Sequence, residues 1–571
     1  MPDKQPASNE RLFEYMAFGG VLLAVAWLAI AESVAIIAGG HHWLPSLASA
    51  PRAAYYALSR GNPVAGWSAA DQHDLPSSRV FIVVALIEIA VLTAGTWALL
   101  KKGVFDTKTD KKSRAPSRSE IKSHLSISAI RERTGHLRED IDAWKAHERE
   151  IGLFLGTETT SKQKVYAAAD DSVLMVGPPG SGKTASFIAP AVVEAPGAAI
   201  VTSTREEIIQ LTATRRLATG HPVWVFAPQL DTEMPAGVLT LTWNPLEGCQ
   251  SPLTAIVRAQ ALVKAGAGFG SGSTSNSDYW ANSAVAVLRC YLLAAATGHK
   301  TIEDVCAWSA APTAPEPVAI LDKVMPAWGN ELLQMGTGSG ATVSSIWSGV
   351  RRALDSFADP RILAACSDAN FDIDQFLEDK GTAYFVGSGS TQMSVAPLVA
   401  TIVEAITERA RQPKGRGHLT TPLSLILDEA ANIAPLPTLP ALLSDGGGSG
   451  IQTLVVLQSL AQGRHRWSDA EMDAMWDAST IKIILAGMSH AQDLQAISQL
   501  CGEIEEERTT KTSGDGVSSS STSPAMVPAW PPEQIRGLQV GHALMLHRRL
   551  KPVEIIAKPY WERQEEWDRM V

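Results

Sequence analysis

Residues Gly177–Thr184 read GPPGSGKT, which fills the phosphate-loop pattern G-x-x-x-x-G-K-[ST] at every fixed position. Gly177, Gly180 and Gly182 let the backbone turn tightly and aim N–H groups at phosphate oxygens, and Pro178, Pro179 and Ser181 complete the loop. Lys183 is the residue that reaches the β- and γ-phosphates, and Thr184 offers a hydroxyl to Mg²⁺. The flanks agree with this reading. Ser172–Val176 (SVLMV) is a short apolar run of the kind a buried parallel strand needs, and Ala185–Ile188 can open a helix whose N-terminus faces the anion.

Further strand candidates follow at Ala198–Val201 and Val223–Phe226, separated by a helical pattern over Glu206–Leu217. Such alternation implies a doubly wound parallel α/β sheet. From Pro252 to Asn370 helical stretches dominate: Leu253–Ala265, Trp280–Ala296, Ile302–Trp308, Pro317–Met325 and Val343–Phe357. The alternating pattern resumes with Thr382–Val386, the helix Val395–Ala410 and the strand Leu423–Leu427. The expected organisation is an α/β domain over 151–251 and 371–571, with an all-α insertion over 252–370. The serine-rich stretch Ser513–Pro524 reads as a disordered loop.

Leu423–Glu429 reads LSLILDE, an apolar strand delivering two carboxylates at its carboxyl end, the Walker B pattern. Asp428 is the candidate Mg²⁺ holder. Glu429 is the candidate general base for water attacking the γ-phosphate. The next strand, Ile451–Leu457, ends in Gln458, which is placed either to sense the γ-phosphate or simply to begin a helix. The site set is thus Lys183, Glu429 and Gln458 for catalysis, Gly177–Thr184 for nucleotide, and Thr184 with Asp428 for metal; the implied cofactors are ATP and Mg²⁺.

The chain has 571 residues, 19% of them charged and 45% hydrophobic, with a formal net charge of −10. An acidic balance restricts any nucleic-acid contact to a local surface. The five cysteines form no C-x-x-C pair, which argues against a zinc site or a disulfide framework.

Two apolar runs precede the α/β region. Tyr15–Ala38 is about 24 residues, roughly 36 Å as a helix, enough to span a bilayer. Val80–Leu100 is the second. The first is too long, and too weakly basic at its start, for a signal peptide. Lysines and arginines crowd 101–122, while the loop between the runs carries only Arg52, Arg60 and Arg79. The positive-inside rule then places both termini in the cytoplasm. Residues 1–102 are expected to be a membrane anchor, and 103–150 a charged cytosolic stem with a helical stretch near Ser119–Glu150.

Together these features resemble the coupling proteins of type IV secretion and conjugation systems, membrane-anchored ATPases of the septal DNA-translocase clan. The most specific block is LSLILDEAANIAPLPTLPALLSDGGGSGIQTLVVLQSLAQ, Leu423–Gln462. The resemblance implies a RecA-like phosphate-loop domain with an all-α insertion, preceded by two transmembrane helices at 15–38 and 80–100. It implies a homo-hexameric ring in the inner membrane with ATP bound between subunits. The ring would feed a DNA–relaxase complex, or secreted protein substrates, to type IV secretion channel components. A coupling ATPase exporting protein effectors only, and a non-hydrolysing nucleotide-binding membrane scaffold, are the alternatives. Two departures stand out. Relatives carry an Asp-x-Lys-Gly-Glu-like stretch where this chain has Thr202–Glu206. They also carry a basic residue in the turn that reads Gly446-Gly-Gly-Ser-Gly450 here. Arg351, Arg352, Arg464 and Arg466 remain as arginine-finger candidates, and Arg464–Trp467 (RHRW) as a local basic, aromatic stretch.

Overall fold

A computed structural model of the chain describes most of residues 113–568; outside the description in that span are 135–137, 139, 232, 267–274, 388, 390–391, 413–418, 420 and 515–516, and before it only scattered positions between 52 and 83 are described. The expected membrane segments 15–38 and 80–100 lie outside the described residues, Val83 apart. Among the described residues no helix is long and apolar enough to cross a membrane. The chain divides into two compact units, Met1–Asp110 and Lys111–Val571.

The second unit is built on one sheet. Its strands are β1 Gly152–Glu158, β2 Lys164–Ala168, β3 Val173–Val176, β4 Ala199–Ser203, β5 Val223–Phe226, β6 Leu239–Thr240, β7 Thr382–Val386, β8 Leu423–Leu427, β9 Ile451–Leu457, β10 Ile481–Leu485, β13 His542–His547 and β14 Val553–Ile556; β11 Glu503–Gly514 and β12 Val517–Pro528 pair only with each other. The order across the sheet is β2-β1-β14-β13-β10-β3-β9-β8-β4-β7-β5-β6. From β10 to β6 every pairing is parallel, and from β10 through β13, β14 and β1 to β2 every pairing is antiparallel.

The central strands are apolar along their length because both faces are covered. Residues alternate between the faces: Leu174 and Val176 join the core that continues into the helical insertion, while Val173 and Met175 join Phe187, Ile188, Val192, Ile208 and Ile209 on the other side. The insertion consists of helices from Pro252 to Glu378. Its centre is Trp347, fully buried, whose indole N–H donates to the Tyr291 hydroxyl at 3.2 Å; that hydroxyl in turn donates to the Trp308 carbonyl. Trp280 is half-buried against the same core.

Two sequence expectations are corrected. The expected helical stretch near Ser119–Glu150 is not one continuous helix. The segment forms the short helices Arg118–His124, Ile127–Thr134 and Glu148–Ile151, and Ile121 and Leu125 bury against the sheet while Ile130 and Ile151 pack on Tyr166. The apolar positions were too few and too irregular to advertise that docking. Nor is Ser513–Pro524 a disordered loop. It lies largely in the β11–β12 hairpin, paired from Glu503↔Pro528 to Gly514↔Val517. Threonine and serine lack apolar periodicity, but they accept extended backbone.

Candidate nucleotide site

The phosphate loop leaves the carboxyl end of β3. Gly177 N–H donates to the Leu457 carbonyl at 3.0 Å, so the loop starts tied to β9. A Cβ at Gly177 would fall 2.8 Å from the Leu485 Cβ, which explains glycine there. Gly180 and Gly182 adopt φ of +81° and +85°, in the left-handed region that glycine enters without strain. The chain then enters a single π-turn, Thr184–Ile188, and an α-helix, Ala189–Val193. Thr184 is half-buried at the start of that turn.

Lys183 is only 8% exposed. Its ammonium donates to the carbonyls of Gly177 and Pro178, each at 2.8 Å, so it is folded back on its own loop. Burial holds its pKa below the ordinary lysine value; the nearby carboxylates of Asp428 and Glu429 oppose the shift, and the charge of Arg205 adds to it. The structure therefore gathers Lys183, Asp428 and Glu429 into one electrostatic site, as the order β3-β9-β8 requires.

Asp428 follows β8 and is 6% exposed. The Thr202 hydroxyl donates to its backbone carbonyl at 3.1 Å. Burial, and then the neighbouring Glu429 charge, push its carboxyl up to about 6. Its Oδ1 is buried with no hydrogen-bond partner. A buried carboxylate oxygen without a donor is costly, and a hard cation coordinated directly or through water would satisfy it. With the Thr184 hydroxyl, the residues present fit Mg²⁺, and the loop's turned glycines fit a polyphosphate.

Glu429 sits at φ 53°, ψ 44°, a left-handed conformation that a side chain bears at a cost of about 1–3 kcal/mol. Its Oε2 accepts from the Asn432 amide at 2.8 Å. Gln458 lies half-buried at the end of β9, between the loop strand and the Walker B strand. Its backbone N–H donates to Gln462 Oε1 at 3.1 Å, and its side-chain amide has no partner among the described residues.

The finger candidates separate. Arg464 pairs with Asp493, and Arg466 donates to the Ala265 carbonyl at 2.7 Å, so RHRW is committed to internal contacts. Arg351 and Arg352 are exposed on the helix Gly340–Leu354. Sequence reasoning missed Arg205, Asn432 and Gln462. The first lies in the segment set aside as a departure from the family pattern. Its position just beyond the carboxyl end of a strand adjoining β8 was the available signal.

The chain as a whole has relatives among known proteins. The profile of the family described as "Type IV secretory system Conjugative DNA transfer" matches residues 119–570. A conjugal transfer protein TraG of Agrobacterium fabrum is 25% identical over 189 residues, 32% of this chain and 28% of that protein, so the match spans under a third of the relative's length. Among solved structures, the bacterial conjugative coupling protein TrwBdeltaN70 in its unbound monoclinic form is similar at a TM-score of 0.55, with 15% identity, over 76% of this chain and 92% of that one. TrwB in complex with ADP and Mg²⁺ is similar at a TM-score of 0.50, with 16% identity over the same shares. On the family match, which covers most of the chain, this protein belongs to the type IV secretory system conjugative DNA transfer family.

Proposed function

We propose that this chain is a membrane-anchored, ATP-driven coupling protein that recruits DNA with its bound relaxase and moves it into a type IV secretion channel during conjugative transfer. The observation that carries the proposal is the convergence of buried Lys183 and Asp428 with half-buried Glu429 at the carboxyl ends of β3 and β8, with one Asp428 oxygen left for a cation. Binding would draw Lys183 off the Gly177 and Pro178 carbonyls and onto phosphate oxygens. Thr184 and Asp428 would hold Mg²⁺, which neutralises phosphate charge when bound. Glu429 would take the proton from the attacking water, and Gln458 would report the γ-phosphate. ATP would lie between subunits of a homo-hexamer in the inner membrane, anchored by 15–38 and 80–100, with a neighbouring subunit supplying the arginine finger. The TrwB complexes with a non-hydrolysable ATP analogue and with ADP and Mg²⁺ support the nucleotide reading.

The test is ATP hydrolysis by the purified protein. Lys183→Ala and Glu429→Gln should each lower kcat by at least about 100-fold; hydrolysis that survives both would belong to another site or a contaminant. The net charge of −10 and the internal use of Arg464 and Arg466 favour one second reading, export of protein effectors alone. DNA should raise the hydrolysis rate at low salt and lose that effect steeply as salt rises. A rate indifferent to single- and double-stranded DNA would favour the protein-cargo reading.

A further inference from the structure

Between Glu429 and the end of β9 runs an unbroken line of three hydrogen bonds. The Gln458 backbone N–H donates to Gln462 Oε1 at 3.1 Å, Gln462 Nε2 donates to Asn432 Oδ1 at 2.9 Å, and Asn432 Nδ2 donates to Glu429 Oε2 at 2.8 Å. The two ends fix the direction. A backbone N–H can only donate, and an ionised carboxylate can only accept, so each amide between them has one consistent orientation. All four residues are half-buried, where such bonds are stronger than in water.

The line has chemical consequences for Glu429. Asn432 occupies Oε2 and leaves Oε1 as the carboxylate oxygen without a partner among the described residues. A residue held at φ 53° needs its side chain fixed by something other than a favoured backbone. Gln462 lies in the first turn of the helix Leu460–Trp467, whose Ser459 cap accepts from the Gln462 N–H at 3.1 Å. That helix is fastened to the insertion through Arg466, which bonds the Ala265 carbonyl, and to the adjacent loop through Trp467, whose indole donates to the Leu436 carbonyl at 2.9 Å. Any displacement of the helix relative to β8 would therefore be felt at the carboxylate.

We infer that Asn432 and Gln462 are positioning residues that aim Glu429 at the attacking water, and that they tie its aim to the helix joining the sheet to the insertion. This rests on the ATPase reading above. The experiment uses the full chain and compares Asn432→Ala, Gln462→Ala and the double variant. Each single change should lower kcat about tenfold while KM for ATP stays within about twofold, because the relay touches the base and not the nucleotide. The double variant should be no slower than the worse single one, as expected of links in one line. In a Glu429→Gln background, Asn432→Ala should change the residual rate less than about twofold. Unaltered kcat in both single variants, or losses that multiply in the double variant, would overturn the relay. Folding losses are separated by ADP affinity, which the relay leaves unchanged; a fall in ADP affinity parallel to the fall in kcat also overturns it. A wild-type protein without Lys183-dependent hydrolysis would sink the enzyme reading and this one together, whereas hydrolysis indifferent to Asn432 sinks this one alone.

Discussion

Burial of Asp428 beside Glu429 raises its carboxyl from 3.8 to about 6, so between those values the folded chain keeps a proton that the unfolded chain has released. Where the native state binds the extra proton, stability falls as pH rises. Without nucleotide and metal, the Asp428 contribution should thus be most favourable near pH 4 and be lost as pH climbs through 6, a change on the order of a few kcal/mol. Asp428→Asn should raise the unfolding midpoint at pH 8 by a few degrees, flatten its decline between pH 4 and 6, and abolish Mg²⁺-dependent stabilisation. A midpoint at pH 8 lower than wild type would contradict the cost assigned to this carboxylate. Lys183, Thr184, Asp428 and Glu429 stand out in the sequence because phosphate and metal chemistry narrows the choice of residue at each position. Asn432 and Gln462 do not, since an amide's role depends on which other amide the fold sets against it.

At the level of elements, the turn after Walker B shows why glycine density alone is ambiguous. A Cβ at Gly447 would lie 2.4 Å from the Asp170 carbonyl oxygen and 2.8 Å from its Cα, whereas one at Gly448 would meet nothing within 4 Å. Gly447 is thus glycine for close backbone approach, and Gly448 is an open position where a side chain could stand. Gly447→Ala should destabilise the protein by about 1–3 kcal/mol through overpacking, and Gly448→Ala by much less, both read by thermal unfolding. Equal effects would contradict the assignment. Strands β5, β7, β8 and β9 were readable to the residue because their apolar runs are bounded by polar or turn residues. The antiparallel flank β1, β2, β13 and β14 was not. Its strands are partly exposed, so their pattern is diluted, and the β1–β14 pairing that joins the two local hairpins links strands far apart in sequence.

Over the whole second unit, one hydrophobic core runs from the sheet face, through Leu174, Val176 and Ile200, into the insertion around Tyr291, Trp308 and Trp347. Calorimetry of the protein should therefore show the sheet and the insertion melting in a single transition, and Trp347→Ala should lower that transition as a whole. Two resolved transitions, with only one moved by Trp347→Ala, would show that the insertion is an independent folding unit. The helical character of 252–370 was plain from composition, but its fusion to the sheet was not, because a contiguous core is a property of packing that no local pattern carries.

Strand order also sets a schedule for synthesis. The neighbours of β3 are β9 and β10, both encoded after the whole insertion. At translation rates of about 5–20 residues per second, the strand carrying the phosphate loop leaves the ribosome tens of seconds before either neighbour exists. During that interval its apolar side chains have no sheet to join. A nascent chain of this protein would thus be a demanding client for chaperones, and its phosphate loop would gain both neighbouring strands only near the end of translation.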